Sequence, residues 1–250
     1  MITLRDVTDL RTPPVNDGDL FSQRVGQYAY EKPLQRVHIL LAGSGWGGEL
    51  DLAGLDARHV ERHITGVDVD APDLRARTQA RTDLDSWHLG DLRTVPMPPR
   101  AYDIVCAPYL VDRISNAELV LDRFVAALKP GGLMIVRFRD RDTAFGFVDR
   151  LIPAPLRRLL QVDPASTAPP AIYEPVASYG GMQWYCVMRG LVIAEEYTSQ
   201  DTVHAYGRWG RSVQWLGRVV SALSRGRLTA DHGEVTFVIR KPENRFARVI

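Results

Sequence analysis

Strand-length apolar runs recur through residues 37–138, and they are apolar continuously rather than at every second position. The clearest are VHILLA (37–42), YDIVCA (102–107) and LMIVRF (133–138), with a shorter run at Ile64–Val69 and a weak one at Trp87–Leu89. Continuous apolarity marks strands buried on both faces, and helical segments between them point to a parallel sheet covered on two sides. Ser115-Asn116-Ala117-Glu118 reads as a capping box. It opens a predicted helix whose Val120, Leu121, Phe124, Val125 and Leu128 share one face and which Pro130-Gly131-Gly132 ends. Further strands are predicted at Leu191–Tyr197 and Glu234–Arg240, and helices at Phe21–Tyr30, Val176–Arg189 and Tyr206–Leu223. The expected fold is α/β and doubly wound, a single domain over 1–250. Within it, 1–33 is an N-terminal arm, 34–150 the core, 151–190 a proline-rich and helical cover, and 198–233 a helical insertion.

A chain of 250 residues with 45% hydrophobic and 24% charged content has ample material for a core. Its net charge of +1 lacks the cationic excess that phosphate binding exploits, so nucleic acid is not the expected partner. No apolar run reaches the roughly 18–20 residues that cross a bilayer, and MITLRDVTDLR has no apolar signal-peptide centre. The expected location is cytoplasmic, without membrane attachment. Cys106 and Cys186 stand in apolar or aromatic surroundings without a basic neighbour, which suits buried reduced thiols rather than a nucleophile.

The segment LLAGSGWGGEL (40–50) carries the chemistry. Gly43, Gly45 and Gly47 follow the first buried strand, where glycine permits a tight turn and close approach of backbone N–H groups to a ligand. Asp68 ends the second strand, placed to accept hydrogen bonds from both hydroxyls of a ribose. Gly43, Gly45 and Gly48 also spell the dinucleotide pattern, so a NAD(P)-dependent oxidoreductase is the alternative reading.

Two further segments bear on the cofactor: HLGDL places Asp91 just past the third strand, and ALKPGGLMIVRF leads into the fifth. Glycine loop, acid, Gly-Asp, an Asp-Ile-Val fourth strand and Lys-Pro-Gly-Gly follow in order. From about Val37 to Phe138 the chain is similar to the class I S-adenosylmethionine-dependent methyltransferases. The resemblance implies a mostly parallel seven-stranded sheet with the last strand antiparallel between strands five and six, the helical insertion lying between strands six and seven. It implies S-adenosyl-L-methionine as cofactor. Gly43, Ser44, Gly45 and Gly47 would then lie against its methionine and ribose, Asp68 and Val69 at the ribose, Asp91 and Leu92 at the adenine, and Ala107 and Pro108 beside the methionyl group. One position departs from the family. An acid usually stands two residues before the first glycine, and here that residue is Leu41. A non-catalytic cofactor-binding homologue is the other alternative.

Methyl transfer asks the protein for alignment, water exclusion and, for some acceptors, a base. Asp112 is the catalytic candidate, as base or acceptor-orienting carboxylate, a surface ion pair with Arg113 being its bland reading. Tyr109, Arg113 and Arg139 are candidate substrate-facing residues. Arg139-Asp140-Arg141 suits an anionic acceptor or, more ordinarily, a solvated loop. His204 and His232 lie in the insertion, and either is a base if it reaches the site. The expected reaction is methylation of a small molecule, a sugar or secondary metabolite, with oxygen preferred. The insertion covers the site or serves as an oligomer contact. No metal is expected: His59 and His63 are spaced i, i+4, but HVERH departs from the zinc-protease order.

Overall fold

The computed structural model describes residues 17–32, 36–45, 50, 60–151, 171–199, 210–224 and 227–243. Seven strands form one sheet: β1 (Arg36–Ala42), β2 (Glu61–Asp68), β3 (Ser86–Leu89), β4 (Tyr102–Pro108), β5 (Leu128–Arg139), β6 (Val192–Ser199) and β7 (Glu234–Arg240). Their order is β3-β2-β1-β4-β5-β7-β6. β1 to β5 pair in parallel, and β7 runs antiparallel between β5 and β6. The chain reverses to either side of β1 and β4, which leaves a crevice at their carboxyl ends where α/β sheets bind ligands.

The helices are α1 (Asp17–Glu31), α2 (Pro72–Ala80), α3 (Ala117–Ala127), α4 (Ala144–Leu151), α5 (Tyr179–Met188) and α6 (Gly210–Leu223). One face of the sheet packs Val37, Ile39, Leu41, Ile104, Cys106 and Ile135 under Phe21, Val25 and Tyr28 of α1. The other packs Leu40, Val105, Ala107 and Val136 under α3 and α5. Successive strand residues thus alternate between two apolar layers, which is why the strands read as continuous runs. Among the described residues no helix is long and apolar enough to cross a membrane.

Three local expectations are corrected. The capping box does not form: Asn116, not Ser115, is the residue before α3, in a left-handed conformation (φ 56°) with no side-chain cap of its own. Glu174 supplies the cap instead, its carboxylate accepting the amides of Asn116 and Ala117. Lys-Pro-Gly-Gly is not a break before β5 but lies inside it, since β5 starts at Leu128 and pairs there with Tyr102 before a register shift. The helix expected from Val176 begins at Tyr179, capped by Ser178, whose hydroxyl accepts from the Gly181 amide at 3.1 Å. The insertion packs against α4: a Cβ on Gly217 of α6 would stand 2.9 Å from the Phe145 ring, and the Ala144 amide donates to the Thr229 carbonyl at 2.8 Å. Trp215 nevertheless stays exposed, while Trp209 lies outside the described residues.

Candidate active site

The glycine loop leaves β1 through Gly43, whose φ of 83° is a region that residues with a Cβ rarely occupy. Its amide donates to the Val67 carbonyl at 2.8 Å, which ties the loop to the neighbouring strand end. The Gly45 amide donates to Asp68 Oδ2 at 2.8 Å, and the Val69 amide to Asp68 Oδ1 at 2.7 Å. Each carboxylate oxygen thus takes one backbone N–H, and the group is fixed in orientation at the carboxyl end of β2. Gly45 sits tightly as well: a Cβ there would meet the Leu74 carbonyl at 3.1 Å and Asp68 Oδ2 at 3.2 Å. Ser44 is buried, its hydroxyl 3.3 Å from that of Thr78 on α2. Gly47 lies outside the described residues.

Next along the crevice, Val69 is exposed while Leu92 is buried. Asp91 stands at the surface, where the Arg93 guanidinium binds both its oxygens through three hydrogen bonds and the Arg93 amide adds a fourth. The Arg93 side chain holds the Asp91 carboxyl down at about 2. Ala107 is buried and Pro108 half-buried at the end of β4. Leu41 is fully buried between Gly66 and Cys106 on the α1 face of the sheet, so an apolar side chain suits its surroundings.

Beyond β4 and β5 the structure departs from expectation. Arg139 and Asp140 are buried rather than solvated, at 9% and 2% exposure. Asp112 and Arg113 do not form a surface ion pair: Asp112 is wholly buried, its nearer partner being Arg139 at 3.0 Å, with Arg113 at 3.9 Å. Arg139 also approaches Asp149 at 3.7 Å, and the Tyr173 hydroxyl donates to Asp149 at 2.7 Å. Burial alone would lower the Arg139 guanidinium, but Asp112, Tyr173 and Asp149 together hold it above its ordinary range. Burial pushes Tyr173 well up, so its hydroxyl stays protonated as the donor.

Tyr109 has a φ of 53°, strained for a residue with a Cβ, at the point where β4 ends. Its amide donates to the Arg137 carbonyl at 2.7 Å and its hydroxyl to Glu234 at 2.8 Å. The ring stands between Arg113 and Arg137, each guanidinium 5.9 Å from its centroid. One strand over, His232 Nε2 lies 3.0 Å from Asp140 Oδ2. His204 lies outside the described residues. Sequence reasoning named Asp112, Tyr109, Arg113 and Arg139 but missed Asp149, Tyr173 and Glu234, which come from distant segments. Arg137 did leave a signal, a charge inside the apolar run LMIVRF.

A glycine turn at the end of β1 and a fixed carboxylate at the end of β2 suit a ligand with a ribose, in a sheet whose β7 runs antiparallel. Residues 40–136 match the family model described as a methyltransferase domain. Over that stretch the chain is similar to a methyltransferase domain. A methyltransferase domain marks an enzyme, with S-adenosylmethionine as its cofactor. No curated protein sequence matches the chain. Among solved structures it is similar to a candidate sarcosine dimethylglycine methyltransferase from Galdieria sulphuraria, with TM-score 0.57, 15% identity, and 90% of this chain and 85% of that chain covered. The [4+2]-cyclase SpnF gives TM-score 0.52 and 16% identity over 92% of this chain and 86% of that one. A Haemonchus contortus phosphoethanolamine N-methyltransferase bound to S-adenosylhomocysteine gives 0.52 and 14%, over 89% of this chain and 53% of that one. At such identities the structural likeness speaks for the methyltransferase fold.

Proposed function

We propose that this methyltransferase acts on an oxygen of a small-molecule acceptor, a sugar or secondary metabolite, held beyond β4 and β5. The observation that carries this reading is the enclosed polar cluster of Asp112, Arg139, Asp149 and Tyr173 at those strand ends. Such a site suits a compact polar molecule better than a polymer, and the net charge of +1 gives no broad cationic surface for nucleic acid. In this reading Gly43, Ser44 and Gly45 face the methionine and ribose of the cofactor, Asp68 and Val69 the ribose, Asp91 and Leu92 the adenine, and Ala107 and Pro108 the methionyl group. Bound there, S-adenosylmethionine supplies a sulfonium methyl group for in-line displacement.

The chain's own residues then orient the acceptor and remove its proton. Tyr109, Arg113 and Arg139 face the acceptor, with Arg139 locked between two carboxylates so that its orientation is set before the acceptor arrives. Asp112, fully buried and bonded to Arg139, takes the positioning part. His232, whose Nε2 is engaged by Asp140, is the base this reading favours for the hydroxyl proton.

The test is release of S-adenosylhomocysteine from S-adenosylmethionine with matched panels of hydroxylated and amino small molecules, products being identified by mass. Methylation confined to hydroxyl compounds, and slowed at least tenfold by His232→Gln, is the expected result. Methylation of amines alone overturns the oxygen reading.

A further inference from the structure

The peptide unit joining Ser44 to Gly45 is gripped from both sides. Its N–H donates to Asp68 Oδ2 at 2.8 Å, and its carbonyl oxygen accepts from Arg81 Nη1 at 3.0 Å. Arg81 follows α2 and is itself anchored: its Nε donates to Asp83 Oδ1 at 2.8 Å, and its Nη2 to Asp83 Oδ2. The pair is largely enclosed, the two side chains being 8% and 13% exposed. Burial alone would raise the Asp83 carboxyl, but the Arg81 hydrogen bonds override this and hold it low. A second tie joins the same elements, the Ser44 and Thr78 hydroxyls at 3.3 Å.

In a trans peptide the C=O and N–H point in opposite directions, so a cation fixed on the oxygen fixes where the hydrogen points. A guanidinium on that oxygen also polarises the amide and strengthens the N–H as a donor. We propose that Arg81 is a positioning residue for cofactor binding. Through the Ser44–Gly45 peptide it sets the orientation of the Asp68 carboxylate, and Asp83 keeps it in place. This rests on the reading that the cofactor binds at the glycine loop and Asp68. It adds a residue 36 positions beyond Gly45 that acts through the loop backbone.

The experiment is calorimetric titration of the full chain with S-adenosylhomocysteine, with thermal melting of each variant in parallel. Arg81→Met is expected to weaken binding at least tenfold. Arg81→Lys restores only part of it, because an ammonium keeps the charge but loses the fork onto Asp83. Asp83→Asn, which leaves Arg81 without its anchor, weakens binding at least threefold. Arg189→Met removes an Arg–Asp pair on the far side of the sheet (Arg189 with Asp122, 2.7 Å) and serves as the stability control. It lowers the melting temperature without changing affinity. Binding by Arg81→Met within twofold of wild type overturns the proposal. Should that variant not fold, unchanged binding by Asp83→Asn overturns it equally. If the unaltered chain fails to bind S-adenosylhomocysteine, the cofactor placement falls and this inference with it. If it binds and the variants bind equally well, only the inference falls.

Discussion

Glu174 closes the amino-terminal end of α3 from 57 residues further along the chain, its carboxylate accepting the Ala117 amide at 2.8 Å and the Asn116 amide beside it. A negative charge there satisfies two donors that the helix cannot and faces the positive end of its dipole. The same strand of chain is pinned at Asp112, whose carbonyl accepts the amides of Ile172 and Tyr173 at 2.7 and 3.1 Å. Helix cap and acceptor side are therefore held by one segment.

Glu174→Ala is expected to destabilise the fold by about 1–2 kcal/mol, the range for a lost cap with charge-assisted hydrogen bonds. Ser115→Ala and Glu118→Ala, which would damage a capping box, leave stability within about 0.5 kcal/mol, as exposed positions without special partners do. Denaturant midpoints of the three variants decide the matter. A large loss in Ser115→Ala would restore the local cap.

What the sequence disclosed and what it hid follow from range. β1, β4 and β5 were legible because a strand buried on both faces is apolar at nearly every position, and that needs no knowledge of its neighbours. The Gly43 turn and Asp68 were legible because backbone geometry and strand-end placement are local demands. The α3 cap was not, since its carboxylate comes from Glu174. The burial of Arg139 was not legible either. Its partners Asp112 and Asp149 flank it from two other segments, and a sequence of alternating charges reads as solvated until they are known.

That buried pair gives a second expectation. Asp112 is fully enclosed and Arg139 nearly so, so removing one partner strands the other in a low-dielectric interior. Arg139→Met should cost about 3–5 kcal/mol of stability. The double variant Asp112→Asn with Arg139→Met should recover part of that loss, because Asp112 is then no longer a charge stripped of its nearest partner. A double-mutant cycle from denaturant unfolding measures the coupling, and strict additivity would show that the pair contributes nothing together.

Asp68 offers the direct check on the cofactor site. Hydrogen bonds to a charged group contribute about 1.5–3 kcal/mol, which corresponds to roughly 10- to 100-fold in affinity. Asp68→Ala should weaken S-adenosylhomocysteine binding by that factor, while the unaltered chain gives no heat with NAD. Calorimetry reads both. Equal affinity for the variant would move the ribose contact to another residue.

The last expectation concerns the thiols. Burial pushes Cys106 up to about 12, and burial, with Glu196 nearby, pushes Cys186 up to about 12. At pH 8 a thiol titrating near 12 is roughly one part in ten thousand thiolate, against about a quarter for a free cysteine near 8.5. Neither cysteine should react with a disulfide reagent in the native protein, and both should react once it unfolds. The linkage has a sign: a thiol raised in the folded state favours folding below its unfolded value of about 8.5. That contribution is lost as pH climbs from there toward 12, because the unfolded chain then releases protons that the native chain retains. Thermal melting across pH 8–10 should fall more steeply for the unaltered chain than for Cys106→Ala with Cys186→Ala, and reagent uptake by the native protein at pH 8 would contradict the enclosure of both residues.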